Sequence, residues 1–485
     1  MGGGAAAGGR GHTLTLAVLT FAGVAFALQQ TMIIPALPAL QRELDTSTTW
    51  VTWLLTAFLL TASVATPILG KLGDQYGKER LLVIALGVFL LGSLAAIFAP
   101  SIWVLIACRA VQGTGAAVFP LSFAIIKDEF PPERIGSAVG VVSAVFGVGG
   151  GLGLVLSGVI VDHLSWRWLF GVGGAGVAVA VVLVHLFVPE SPVKTRSRVD
   201  VPGALLLSGG LVCLLLALTE GERWGWSSPA VVALLAAAVC LLLGWAAVEL
   251  RVAEPMVDMR MLAHRPVLVA NLTGLVSGFA MFGSFVLVPN FVETPGELPA
   301  GIARLVDYGF GASTTQAGLL LAPGAIAGFF TGPLAGPLGR RLGARAPLSL
   351  GLVLGAAGIA LLAGLHAEPW QVALGMLVLG AGLPLTFAAM ATVIVQTVDR
   401  RETGVATGMN TVMRTVGGVV GAQVGAAILA ANTIAGTSVP SESAFAAAFW
   451  MSAAAALAAA VLAFAALPRR RGGPRPLARP AEALE

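Results

Sequence analysis

The chain has 485 residues, 57% of them hydrophobic and 11% charged, with 62 glycines and 27 prolines. A soluble domain carries roughly 25% charged residues, so this balance excludes an ordinary soluble domain and is that of a membrane protein, whose helices tolerate small residues and proline. The formal charge of +4 comes from cations scattered through short loops, which excludes a nucleic-acid-binding domain.

A spanning helix needs about 20 apolar residues. In chain order such runs fall near residues 13–38, 50–70, 80–99, 102–126, 136–161 and 167–188; then, after the polar linker "PESPVKTRSRVD", near 202–219 and 229–250; then near 265–292, 313–337, 346–365, 369–397, 403–434 and 443–467. That is fourteen spans, arranged as six, two and six. The first run is too long for a cleaved signal core. Short cytoplasmic loops are rich in Lys and Arg, and the even-numbered gaps hold Lys71, Lys78, Arg80, Lys127, Arg134, Arg251, Arg260, Arg340, Arg341, Arg345, Arg400 and Arg401, whereas the odd gaps hold Arg42, Arg167, Arg223 and Arg304. Both termini are therefore expected in the cytoplasm. The expected organisation is an N-terminal six-helix bundle over 1–190, a linker with two extra helices over 191–260, a C-terminal six-helix bundle over 261–467 and a disordered tail over 468–485.

The chain repeats itself. "ERIGSAVGVVSAVFGVGGGLG" from Glu133 and "RETGVATGMNTVMRTVGGVVG" from Arg401 align Gly136 with Gly404, Gly140 with Gly408, Gly149 and Gly150 with Gly417 and Gly418, and Gly153 with Gly421 at one constant offset. "GKLGDQYGKER" from Gly70 pairs with "GPLGRRLGAR" from Gly336. Two related six-helix halves around a central site are the expected arrangement.

Several residues stand out along these spans. Gln29 and Gln30 interrupt an apolar first span and need a partner or a wet cavity. In "GKLGDQYGKERLL", Gly70 and Gly77 allow close helix contact, while Asp74, Lys78 and Arg80 supply charges for a latch that opens and closes. Arg109 and Gln112 lie inside the fourth span; a cation there is either a switchable pair or anion-binding group, or a permanent structural pair. Arg414 with Asn410 raises the same choice in the thirteenth span. Asp162 ends the fifth span as a cap or a proton site, and Trp166 and Trp168 beside it read as an interfacial belt. Asn271, Phe282 and Asn290 give the ninth span a mixed surface suited to an amphipathic solute, or to packing. Glu220, Glu222, Glu293, Glu297 and Asp307 are read into outer loops, so no carboxylate is expected at mid-membrane depth. Cys108, Cys213 and Cys240 lie apart in apolar runs and offer neither a disulfide framework nor a metal site. "GVGGAG", residues 171–176, lies within a span and not between a strand and a helix, and no G-x-x-x-x-G-K-[ST] is present, so neither dinucleotide nor ATP binding is expected and no cofactor is implied.

These segments together resemble the major facilitator superfamily, and within it the fourteen-helix branch of drug:proton antiporters, over nearly the whole chain. Gly70 to Arg80 is similar to the superfamily's signature loop between helices 2 and 3, "RAVQGTGAAVFP" from Arg109 to its helix 4 motif, "GVGGGLGLVLSG" from Gly147 to its helix 5 motif, and "LQQTMIIPALP" from Leu28 to its helix 1 motif. The resemblance implies the major facilitator fold, a role for Arg109 in proton handling and hinge glycines at Gly149, Gly150, Gly153 and Gly158. Two positions depart from the branch: Gln29 stands where it has an aspartate, and Leu154 where it has a proline.

The expectation is a monomeric secondary transporter of the bacterial plasma membrane, not an enzyme, that moves a small hydrophobic or amphipathic molecule outward in exchange for protons. An uncoupled facilitator or lipid-type flippase of the same fold remains open, as does a sensor that does not transport.

Overall fold

The computed structural model describes residues 3–191, 200–295, 301, 304–437 and 439–467. The tail over 468–485 and most of the linker "PESPVKTRSRVD" lie outside the described residues, as do the side chains of Leu154, Asp162 and Phe282. The chain is helical throughout: among the described residues the one β-type pairing is an isolated bridge between Thr433 and Pro440.

Fourteen long helices follow in order. The first six are α1 (Gly3–Glu43), α2 (Thr48–Tyr76), α3 (Lys78–Ile97), α4 (Ile102–Gln112, a 3₁₀ turn Gly113–Ala117, then Val118–Glu129), α5 (Pro132–His163) and α6 (Arg167–Phe187). Two more, α7 (Val201–Trp224) and α8 (Pro229–Glu249), form a hairpin. The last six are α9 (Arg265–Glu293), α10 (Thr314–Thr331, a 3₁₀ turn Gly332–Leu334, then Ala335–Leu342), α11 (Arg345–Gly364), α12 (Pro369–Thr397), α13 (Thr403–Ala431) and α14 (Glu442–Ala466). Thirteen of these are long and apolar enough over their described residues to cross a membrane; in the remaining helix, α9, the stretch Arg265–Met281 is apolar but shorter.

Helix starts are written locally. Ser47, Asp200, Ser228 and Ser441 each accept a hydrogen bond from a first-turn N–H of the helix they precede, satisfying a donor that has no intrahelical partner. Proline opens α5, α7, α8, α9 and α12, where its missing N–H costs nothing. Gly77, at φ +124°, makes the tight joint between α2 and α3.

The first half has its core around Phe26, Phe58, Phe89 and Phe119. The second half has a larger one, which Leu207, Leu211 and Trp245 of the hairpin join. The halves meet along two seams, α2 against α13 and α5 against α10, and the repeated glycines build both. An added Cβ on Gly70 would stand 2.6 Å from Gly404 O, and one on Gly136 would stand 3.1 Å from Gly336 Cα. The paired motifs thus face each other crosswise: the glycine of the second helix in each half touches the glycine of the fifth helix in the other. Further along the same helices the repeat turns inward: Gly149 packs on Ala27 of α1, and Gly417 on Leu275 of α9.

Three expectations change here. The seventh helix continues to Trp224, so Glu220 is not in a loop; it is buried and pairs with Arg223 at 2.8 Å, one helical turn on. Trp166 is not an interfacial residue: it is 1% exposed, edge-on to Phe170 and covered by the Arg167 guanidinium, while Trp168 is exposed. The first helix runs on to Glu43, beyond the apolar run ending near residue 38, because its last turns are still covered by neighbours at Ala39 and Leu40.

Candidate functional site

The face reached by the even-numbered connections, called here the basic face, is closed by a cluster that ties the two halves. Asp74, near the end of α2, is buried and accepts hydrogen bonds from Gly404 N at 3.0 Å and Val405 N at 3.3 Å. These are first-turn amides of α13, so a carboxylate from one half caps the positive end of a helix in the other. Glycine at 70 and 404 is what permits that approach. Lys78 lies 3.6 Å from Asp74 and 2.5 Å from Asp128, and donates to Arg400 O at 3.1 Å. Ser191 donates to the Asp128 carboxylate. Lys127 donates to Val398 O at 2.5 Å, and Arg340 to Glu133 O at 2.6 Å.

Of the predicted latch, the structure brings together Gly70, Asp74, Gly77 and Lys78. Arg80 is exposed on the outside of α3, because one turn beyond the Gly77 joint the helix presents a different face. Lys127, Asp128 and Ser191 complete the cluster and were missed. The acid–base pair "KDE" at the end of the fourth span was the available signal.

Directly above this cluster lies a small cavity between the halves. Phe119 and Phe123 of α4 and Phe387 and Ala391 of α12 supply its apolar walls. Ser143 of α5 and Thr407, Asn410, Thr411 and Arg414 of α13 supply its polar groups. At 1.5 Å rise per residue, Thr407 and Arg414 stand about 6 and 16 Å above the start of α13, and Phe123 and Phe119 about 9 and 15 Å above the end of α4. The Arg414 guanidinium lies 4.3 Å from the centre of the Phe387 ring. Asn410 donates to Ala270 O at 3.0 Å and to Asn271 Oδ1 at 3.2 Å, fixing α13 to α9. Of the predicted cavity residues, Asn410 lines this space; Asn271 is buried behind it, and Asn290 is exposed near the far end of α9.

Gln29, Arg109 and Gln112 lie elsewhere, inside the first half. Arg109 is fully buried; it donates through Nε to Leu54 O at 3.1 Å and through Nη1 to Gln112 Oε1 at 2.8 Å, with its guanidinium 4.5 Å from the Phe58 ring centre. Gln112 Nε2 and Gln29 Nε2 both donate to Ser93 Oγ, at 2.9 and 2.7 Å, and Ser93 donates to Phe89 O. One hydrogen-bonded string thus links α1, α2, α3 and α4, and Gly173 of α6 packs on the Gln29 side chain. Among the described residues no carboxylate is in ion-pair range of Arg109. Gln30 is half-buried beside this string.

The candidate hinge glycines lie in an unbroken helix. Gly149 and Gly153 fit against α1, and an added Cβ would stand 3.8 Å from Thr31 Cγ2 on Gly150 and 2.6 Å from Thr315 Oγ1 of α10 on Gly158. On the face opposite the gate, Tyr308 donates to Pro440 O at 2.6 Å and stacks on Phe291; burial pushes its phenol above the ordinary value.

Comparison with known proteins agrees with this arrangement. The family model described as Major Facilitator Superfamily matches twice, over residues 19–297 and 272–483. The chain is 27% identical over 358 residues to Multidrug resistance protein 3 of Bacillus subtilis, covering 73% of this chain and 67% of that one. It is 27% identical over 396 residues to the Tetracenomycin C resistance and export protein of Streptomyces glaucescens, covering 81% and 71%. Among solved structures, the human organic anion transporter MFSD10 superposes with a TM-score of 0.65 over 93% of this chain and 99% of that one, at 16% identity, a likeness of fold alone. Two six-helix halves meeting along glycine seams, with a cavity between them and a family match over both halves, make this chain a membrane transporter of the Major Facilitator Superfamily.

Proposed function

We propose that the chain exports small hydrophobic or amphipathic molecules across the bacterial plasma membrane by alternating access, with the basic face and both termini in the cytoplasm and proton entry as the energy source. The gate carries this reading. Asp74, capping α13 and facing Lys78, shuts the basic face directly beneath the cavity, so the same helix that is latched at its start lines the cavity two turns later. Release of Asp74 would free α13 to move with its cavity residues. The names of the two bacterial relatives, which speak of multidrug resistance and of export, support outward transport. A proton crossing the membrane releases about 2.3 kcal/mol per 100 mV.

A second reading, an uncoupled facilitator or lipid-type flippase, is favoured by one observation. The helix 1 position at which an acid is expected holds Gln29, an amide locked onto Ser93, and the described lining of the cavity contains no carboxylate. Purified protein in liposomes with an imposed pH gradient separates the two. Substrate flux that rises with the gradient and carries protons the other way is the expected result; flux indifferent to the gradient would overturn proton coupling and leave the facilitator.

A further inference from the structure

We propose, on the basis of the transport reading above, that the connector after α8, residues 250–258, is a strap by which the two extra helices help hold the basic face shut, with Lys71 of α2 as the group it holds. Lys71 is half-buried, and its Nζ donates to Pro255 O at 2.9 Å. It directly follows Gly70, where α2 touches α13, and stands about one turn before Asp74. The tie thus lies beside the latch yet is separate from it, because its acceptor belongs to the strap and not to α13. Ile68, one turn earlier on α2, packs on the second half's core at the same place.

The strap itself is built into the second half. Met256 and Val257 are buried in that half's core together with Leu207, Leu211 and Trp245 of the hairpin. Its path is set by Glu249, the last residue of α8, whose buried carboxylate accepts from Trp245 Nε1 at 2.8 Å and from Val257 N at 3.2 Å. An added Cβ on Gly203 would stand 2.9 Å from Glu249 Oε1, so the start of α7 closes over the same carboxylate. Pro255 is therefore held on both sides by the second half, whereas Lys71 is carried by a helix of the first. When the halves part at the basic face, α2 leaves α13 and Lys71 must leave Pro255 O. An ammonium drawn off a carbonyl in a half-buried place gives up a charge-assisted hydrogen bond, which biases the protein toward the closed basic face. The extra helices act in this way on the gate, although no described residue of either lines the cavity.

The test uses the full-length protein in lipid nanodiscs, with Cys108, Cys213 and Cys240 changed to Ala and spin labels on Arg80→Cys and Arg341→Cys, exposed positions on the basic face of the first and second halves. Double electron–electron resonance then gives the ratio of long to short label separations, that is, of open to closed basic face. Lys71→Met keeps the length of the side chain and removes its donor; Glu249→Gln weakens the hold on Val257 N and leaves α2 untouched. Each should raise the open-to-closed ratio on the order of fivefold, and Lys71→Arg should leave it near that of the unaltered protein. A shift shared by Lys71→Met and Glu249→Gln identifies the strap, since the second variant changes no charge on α2. If Glu249→Gln does not elute as a monodisperse protein, Glu249→Asp, whose shorter arm withdraws from Val257 N, takes its place. A shift in neither variant, a shift in one alone, or a shift in Lys71→Arg as large as in Lys71→Met would each overturn the proposal. Flux of ethidium and of a neutral aromatic dye is followed in proteoliposomes: flux with unshifted separations would overturn the strap and leave the transport reading intact, whereas the shared shift without flux of either dye would uphold the strap and count against transport.

Discussion

A fully buried guanidinium needs acceptors in its own plane, and Arg109 finds two, the backbone carbonyl of Leu54 for Nε and the amide oxygen of Gln112 for Nη1, while its Nη2 has no hydrogen-bond partner among the described residues. Each buried acceptor left without its donor costs about 1–3 kcal/mol. Arg109→Ala strips both at once and also removes a cation stacked on Phe58, so the variant should be destabilised by several kcal/mol. The midpoint of heat-induced aggregation in detergent, followed by size-exclusion chromatography, should fall well below that of the unaltered protein, with Arg109→Lys in between because a single ammonium cannot reproduce the fork. A normal midpoint with abolished transport would instead assign Arg109 to the transport cycle. Gln29 belongs to the same string through Ser93. The sequence exposes both glutamines and the arginine as polar groups in apolar spans, but Ser93, the residue that joins them, has no distinguishing context on α3, and serine is ordinary in membrane helices.

Helices carry the next level of organisation, because the seams depend on how closely whole elements approach. At Gly70 the α2 backbone touches α13, and Asp74 one turn later uses that proximity to reach the Gly404 and Val405 amides. Gly70→Val should push the helices apart and open the basic face, as should Asp74→Asn by weakening the helix cap and its pairing with Lys78. In a background with Cys108, Cys213 and Cys240 changed to Ala, a cysteine at Thr411 should then react several-fold faster with a membrane-impermeant maleimide added at the basic face. Gly87→Val is the control, since no heavy atom outside its own helix lies within 4 Å of an added Cβ there; an equal rate in all variants would refute the latch. The spacing of these glycines is a local pattern and was legible. Their partners were not: the aligned motifs do not touch their own repeat counterparts but cross over, Gly70 to Gly404 and Gly136 to Gly336. The helix count was legible because span length and hydropathy are local too, whereas Phe119, Ser143, Phe387 and Thr407 come from four helices and share a cavity only after the halves pack.

At the scale of the whole molecule, the crossed contacts relate the two seams by the same symmetry that the repeats show in sequence, so motion of one half against the other must be accommodated at both. The hairpin α7–α8 rests on α2 and α13 and shares the second half's core. It bridges the latched seam and leaves α5 and α10 as the simpler place to restrain. On the face opposite the gate, an added Cβ on Gly158 would stand 2.6 Å from Thr315 Oγ1 and 3.3 Å from Thr315 Cα, which holds the two Cα atoms within about 4.8 Å of each other, at the short end of the roughly 4.4–6.8 Å separation that a disulfide spans. If transport requires the halves to part at that end in each cycle, Gly158→Cys with Thr315→Cys in the same cysteine-free background should lose nearly all flux on mild oxidation. Full flux should return on reduction, and each single cysteine should be indifferent to oxidant. Cross-linking confirmed by mass spectrometry together with undiminished flux would mean that the α5–α10 seam stays closed on this face throughout the cycle, and that movement is confined to α2, α13 and the helices beside them.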